Sequence, residues 1–206
     1  MRVLLEKEAE DFLARNRFNV VPRLIAKNDK QVFSKANKLG FPVVVKLLSR
    51  DFVHKTEKGA VEVDIRDKKE LKKAVNELKK IKADGFLVQK FIPGDWFLVG
   101  LKKDSSFGHV VAFGLGGIYT EVMKDVSFRV CPLSKKDVDS MLKETKAFGI
   151  LSGARGRKHD INSIKRLLLR ISRLPQKHPE IVELDINPLV VNAKQAVIVD
   201  ARVVLE

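Results

Sequence analysis

Three groups of side chains in this 206-residue chain have types and spacings suited to phosphate chemistry. His54 stands in a charged stretch with Lys55 and Lys58 beside it, a short way past Lys46. A neutral imidazole is available near pH 7 and is a nucleophile toward phosphoryl groups; the flanking ammonium groups disfavour its protonated form and attract an anion. Lys46 closes the apolar run 41–46, so it is read as a strand-end lysine reaching out of the sheet to offer a phosphate a point charge. Glu183, Asp185 and Asn187 alternate with Leu184 and Ile186, which puts the three polar groups on one face of a strand. Asp200 ends the run 197–200 on the strand that pairs back, and hard oxygens from both strands make a Mg²⁺ site. Gly114, Gly116 and Gly117 form the third group, a loop whose bare backbone N–H groups can approach an anion, with Arg129 as a nearby cation. Each group also has a plain reading: a loop histidine, a solvent-facing acidic strand pair and a tight turn.

The elements that must position these groups alternate in type. A helix is expected over residues 4–16, a short strand over 20–26, and a helix carrying Val32, Phe33, Ala36 and Leu39, capped by Asn28 or Asp29 and stopped by Gly40. Strands follow at 41–46 and from Gly59, then a helix opened by Asp67 with Leu71, Ala74, Val75, Leu78 and Ile81 on one face and lysines on the solvated face. Residues 86–92, 96–101, 108–113 and 126–130 read as strands, with turns at 93–95 and 103–106. Ser134 caps a helix, residues 148–159 read as loop, and Ile161 to Leu174 mark an amphipathic helix ended by Pro175. Two last strands, 181–191 and 196–204, flank a hairpin turn at 192–195. Interleaved helices and hairpins give an α+β chain with mostly antiparallel sheets, and the break in pattern near 92–95 divides it into two lobes facing a cleft.

With 45% hydrophobic and 32% charged residues the chain has the composition of a globular, water-soluble protein. Its 40 Lys and Arg against 26 Asp and Glu give a net charge of +14, a field that attracts polyanions without choosing among nucleotides, coenzyme A, an acidic partner or nucleic acid. Cys131 is the one cysteine, which excludes an intrachain disulfide and a cysteine-based metal site and fits a reducing compartment. The early charges argue against a signal peptide, and no apolar run reaches the roughly 18 residues of a membrane span; a cytoplasmic protein with no membrane association is expected. There is no Gly-x-x-x-x-Gly-Lys-Ser/Thr loop, no dinucleotide fingerprint after a strand and no histidine pair at zinc spacing.

Several segments in order resemble the ATP-grasp (β) subunit of the ADP-forming acyl-CoA synthetases, the acetate-CoA ligase (ADP-forming) type, similar to the β subunit of succinyl-CoA synthetase. They are residues 40–46, 54–57, 88–90, 113–118 with Glu121, 126–129, 155–156 and 183–189. The resemblance implies an ATP-grasp fold, lobe 1 at about 20–92 and lobe 2 at about 93–206 with the N-terminal helix packed on it, around a nucleotide cleft. It implies that acyl-CoA, ADP and phosphate give ATP, acid and CoA, reversibly, with His54 as the histidine that relays the phosphoryl group to ADP. Lys46 and Arg129 would contact nucleotide phosphates, the glycines 114, 116 and 117 would face them, and Asn187 with Asp200, and Asp185 on the same face, would hold Mg²⁺. Gln89, Lys90, Phe91 and Ile92 would form the hinge whose backbone meets adenine. Two departures stand out: Trp96 occupies the place of the family's ribose-binding glutamate, with Asp95 adjacent as a substitute, and Gly59 is followed by Ala60 where the family has a glycine pair.

The CoA-binding and ligase domains are then expected on a separate α subunit, in a heteromer such as α2β2. The loop holding His54 is expected to be mobile when that partner is absent. A non-catalytic nucleotide-sensing or regulatory subunit is the alternative raised by Trp96. A nucleic-acid-binding module is raised by charge alone, without a recognition helix or aromatic platform.

Overall fold

The computed structural model describes residues 1–48, 59–117, 125–153 and 156–206. His54 with Lys55 and Lys58, the segment 118–124 with Glu121, and Arg155 lie outside the described residues, as does the expected mobility of the loop. The chain divides into a smaller unit, Val21–Ile92, and a larger one made of Met1–Val20 and Pro93–Glu206.

Among the described residues the smaller unit is a four-stranded antiparallel sheet carrying two helices. Its strands are β2 (Arg23–Ala26), β3 (Val43–Leu48), β4 (Val61–Ile65) and β5 (Gly85–Lys90), in the order β2-β5-β3-β4. Helix α2 (Asp29–Leu39) begins where the Asn28 side chain accepts the Gln31 N–H and ends at Gly40, whose φ of 74° is open to glycine at little cost. Helix α3 (Lys68–Leu78) begins where Asp67 accepts the N–H groups of Lys69 at 2.7 Å and Glu70 at 2.8 Å. Both helices turn one apolar stripe inward, Val32 and Ala36 from α2, Leu71, Val75 and Leu78 from α3. These pack on Val43, Val45 and Leu47 of β3. The reading of Lys46 as a strand-end residue is corrected here: β3 continues through Leu47 and Leu48, because both find backbone partners in β5.

The larger unit is a seven-stranded antiparallel sheet. Strands β1 (Arg2–Leu5), β6 (Asp95–Asp104), β7 (Gly108–Leu115), β8 (Val126–Val130), β9 (Ile181–Val191) and β11 (Ala201–Leu205) lie in the order β1-β11-β9-β6-β7-β8, and β10 (Ala196–Ile198) pairs the far end of β9. One face of this sheet is buried: Phe97, Val99, Val111, Phe113, Leu184 and Ile186 share a core with helices α1 (Lys7–Arg15), α4 (Lys135–Lys143), α5 (Ala147–Leu151), α6 (Ile161–Ile171) and α7 (Leu174–Lys177). Phe97 and Phe113 stack across β6 and β7 with centroids 5.9 Å apart. A reciprocal capping box between Ser134 and Asp137 starts α4, and Asp160 caps α6.

Several expected boundaries move, each for a reason outside the local pattern. Residues 2–5 leave the expected N-terminal helix and become β1, since β11 offers them a ladder from Arg2 opposite Leu205 to Leu5 opposite Arg202. Residues 148–151 of the expected loop belong to α5 (Ala147–Leu151), and Pro175 sits in the first turn of α7 instead of ending α6, a position where its missing N–H costs nothing. Gly114 belongs to β7, and β6 runs on to Asp104, whose carboxylate accepts the N–H groups of Ser106 and Phe107 in the turn. The single strand expected over 196–204 is interrupted between Ile198 and Ala201.

That interruption matches an irregularity in β9. Phe97 faces Leu189 and Val99 faces Ile186, so two steps along β6 answer three along β9, and the extra residue falls at Asn187-Pro188. Pro188 has no N–H to give either neighbour. Leu184 and Ile186 before this point and Leu189 and Val191 after it all remain buried. Truncating the core beneath it with Phe97→Ala should cost about 3–5 kcal/mol, whereas Asp67→Ala should cost about 1 kcal/mol through the lost α3 cap. Urea denaturation of the two variants checks the order.

Candidate functional site

The irregular step in β9 lies among the residues expected to hold a metal. Ala201 pairs with Ile186, which carries Asp200 to the level of Asn187, and the Val199 N–H donates to the Pro188 carbonyl at 3.3 Å. Asn187 Oδ1 accepts the Gly117 N–H at 3.0 Å, which fixes the amide in place. Asp185 lies between Gly100 of β6 and Arg202 of β11. Because Gly100 has no side chain, the sheet surface dips there into a shallow hollow of about 360 Å³ bordered by Ala112, Phe128, Glu183 and Asp185. Burial, then the nearby carboxylates of Glu183 and Asp200, pushes the Asp185 carboxyl up to about 6, with Arg202 opposing.

This donor set suits a hard divalent cation. Crowded carboxyl groups that resist ionisation gain most from a neighbouring positive charge, and the oxygens of Asn187, Asp200 and Asp185 are of the type Mg²⁺ selects. Among the described residues no group of three or more His, Cys, Asp or Glu side chains is arranged to hold a metal by itself. Asn187, Asp200 and Asp185 would supply only part of a Mg²⁺ shell, with waters or phosphate oxygens supplying the rest.

The glycines support this arrangement chiefly by what they let approach. A Cβ on Gly114 would lie 2.3 Å from the Asp125 carbonyl oxygen, and one on Gly116 would lie 2.7 Å from the Phe97 backbone. Gly116 donates its N–H to the Trp96 carbonyl at 3.0 Å. Gly117, at φ 70°, lies under the Trp96 indole, where a Cβ would come within 2.8 Å of Cε3. Trp96 is nonetheless 47% exposed. Asp95 beside it is already paired: it accepts from His159 Nε2 at 2.8 Å and from Arg157 at 3.1 Å. Neither partner was singled out from the sequence, because 64 positions separate His159 from Asp95 and nothing local marks the pairing.

Arg129 is held by its own unit. Its guanidinium pairs with Glu144 and also reaches the Ser140 hydroxyl at 3.0 Å, Ser127 at 3.1 Å and the Phe128 carbonyl at 2.8 Å. The Arg129 and Ser127 hydrogen bonds hold the Glu144 carboxyl below its usual range. In the smaller unit, Lys46 is buried on the face of β3 opposite Val45 and Leu47, at the level of Leu87 and Val61. Gln89 is locked between Arg23 and Val44 in the centre of the sheet. Lys90 Nζ donates to the carbonyls of Gly40 at 2.7 Å and Phe41 at 2.9 Å, so this side chain ties the end of α2 to β5. The N–H of Lys90 donates to Pro22 and that of Phe91 to Pro42, which extends the ladder past the strand end toward Ile92. Cys131 is half-buried and its thiol is pushed up to about 11 by desolvation, which leaves little thiolate for chemistry.

The Asp185 carboxyl makes a measurable contribution to stability. Its folded-state pKa lies above the ordinary 3.8, so folding favours the protonated form; that contribution is complete below the unfolded value and lost as pH rises through about 6. Asp185→Asn should therefore be more stable than the parent at pH 8, with the difference closing toward pH 4, as read by thermal unfolding without divalent cations.

The ATP-grasp domain family matches residues 1–205. The chain is 36% identical to the acetate–CoA ligase [ADP-forming] I subunit beta of Pyrococcus furiosus, over 99% of this chain and 92% of that one. It is 41% identical to acetate–CoA ligase [ADP-forming] I of Archaeoglobus fulgidus over 90% of this chain, but spans only 28% of that longer protein. Among solved structures, the dinucleotide-forming acetyl-coenzyme A synthetase 1 of Ca. Korarchaeum cryptofilum, in complex with coenzyme A and Ca-AMPCP, superposes with a TM-score of 0.93 at 40% identity, covering 100% of this chain and 94% of that one. The same protein bound to coenzyme A and Mg-AMPPCP, with a phosphohistidine segment pointing towards the nucleotide binding site, gives a TM-score of 0.87 at 40% identity over 99% of this chain and 93% of that one. The chain therefore belongs to the ATP-grasp family, and it is similar along its length to β subunits of ADP-forming acetate–CoA ligases.

Proposed function

We propose that this chain is the nucleotide-binding subunit of an ADP-forming acyl-CoA synthetase and that His54 relays a phosphoryl group to Mg-ADP. The observation that carries this is the end-to-end likeness to the Korarchaeum synthetase bound to Mg-AMPPCP with its phosphohistidine segment turned to the nucleotide. The crowded oxygens of Asp185, Asn187 and Asp200 on the larger unit support it. The α partner, a cytoplasmic setting and the two-lobe division at residues 92 and 93 belong to the same proposal. Among the described residues no helix is long and apolar enough to cross a membrane.

In this proposal the imidazole of His54 attacks an incoming phosphoryl group, forming an N–P bond as the bond to the leaving group breaks. A β-phosphate oxygen of ADP then attacks the same phosphorus, the N–P bond breaks, and neutral histidine and ATP result. Phosphoryl transfer of this kind asks the protein mainly for positioning and charge. Lys46 supplies a fixed ammonium from β3, and Arg129 supplies a guanidinium held by Glu144 until phosphate competes for it. The Gly114, Gly116 and Gly117 segment would keep side chains away from the phosphates, Asn187, Asp200 and Asp185 would hold Mg²⁺, and the backbone of residues 89–92 would meet the adenine. Bound Mg²⁺ would neutralise phosphate charge as the group transfers.

Reconstitution with an α chain, followed by measurement of ATP formed from acetyl-CoA, ADP and phosphate, tests the relay. His54→Ala should reduce ATP formation to background while leaving ADP affinity within about twofold, because loss of a nucleophile removes the covalent route and not ground-state binding. Undiminished turnover in that variant would exclude the relay. Asp200→Asn should weaken Mg-ADP binding on the order of 10-fold or more and raise the Mg²⁺ concentration needed for half-maximal binding, as calorimetry would record. An unchanged Mg²⁺ requirement would remove Asp200 from the metal site.

A further inference from the structure

We propose that Trp96 is the residue on which the sugar and base of the nucleotide stack, and that this subunit consequently does not select strongly for the ribose 2′-hydroxyl. This deepens, and rests on, the nucleotide-binding function proposed above. Trp96 leaves nearly half of its surface exposed at the start of β6, while its inner edge lies on Gly117. The Gly117 N–H is in turn bound to Asn187 Oδ1 at 3.0 Å, so one glycine joins the indole to the oxygen proposed for the metal. A ring that rests on a glycine and keeps nearly half its surface exposed can serve as a stacking platform next to the place where phosphates and Mg²⁺ are proposed to sit.

The carboxylate at the same end of β6 is Asp95, and both of its oxygens are engaged. An indole has one N–H donor and no acceptor, so a sugar hydroxyl cannot donate to it. Asp95 already accepts from His159, whose side chain is 2% exposed, and from Arg157, so a sugar hydroxyl would have to share oxygens whose orientation these two partners fix. Withdrawing Asp95 would leave a buried imidazole without its partner. A site that reads a hydroxyl through a buried polar group rejects the analogue lacking it by orders of magnitude, whereas a stacking surface barely distinguishes the two.

Trp96 is the one tryptophan of the chain, so its fluorescence reports on this position alone. The test is to titrate the full chain with ADP and with 2′-deoxy-ADP, each with Mg²⁺, following Trp fluorescence and heat in parallel. Both nucleotides should alter the emission and bind within about threefold of each other. Trp96→Ala should weaken both equally, on the order of 10-fold, and Trp96→Phe should restore most of that loss. Trp96→Glu should introduce a preference for ADP, since a carboxylate can accept from the 2′-hydroxyl. Heat of binding without any change in emission, or 2′-deoxy-ADP binding about 10-fold or more weaker than ADP, would overturn the stacking assignment and leave the nucleotide function standing. Absence of heat from either nucleotide would overturn both.

Discussion

The larger unit is organised by the need of β9 to keep one face dry while interrupting its own ladder. Leu184, Ile186, Leu189 and Val191 all bury against the helices, yet an extra residue intervenes between Ile186 and Leu189. The consequence spreads to both neighbours. On one side β6 shifts its register, and on the other the returning chain splits into β10 and β11, with Val199 bonded to the Pro188 carbonyl. On the open face the register sets Asp200, one residue before Ala201, at the level of Asn187. The inner core fixes the strand's position, and the irregular step decides where its oxygens point.

Around that point the structure uses close backbone approach in place of side-chain bulk. Gly116 lies against the Phe97 backbone, Gly117 lies beneath Trp96, and Gly100 opens the hollow beside Asp185. Gly116 and Gly117 each permit a contact that a Cβ would forbid. Charge is managed by pairing: Arg129 with Glu144, Asp95 with His159 and Arg157, Glu183 with Arg202. Asp185 is the carboxyl whose surroundings push it upward. In a chain with a net charge of +14, a crowded acidic spot on an open sheet face is where a cation would bring the greatest relief.

The smaller unit shows why residue type and role separate. Lys46 and Lys90 both attract attention as cations, but β3 runs past Lys46 and leaves it buried on the sheet, whereas Lys90 turns back to two carbonyls at the end of α2. The first is a fixed charge on a rigid strand and the second is a tie between elements.

The sequence by itself determined the element types where one period ran long enough to show: α2, α3 and α6 by their apolar stripes and caps, and β9 by alternation with its polar face of Glu183, Asp185 and Asn187. It also determined the family, because short blocks kept their order along the chain. Tertiary structure alone decided that residues 2–5 are a strand, since their partner lies at the opposite end of the chain, and that residues 196–204 break where β9 bulges. It decided that Asp95 is spent on His159 and Arg157, and that Gly114 is a strand residue and not part of a loop. The physical reason is common to all four: a backbone ladder or an ion pair is satisfied by whichever group arrives across space, and local composition carries no record of that arrival.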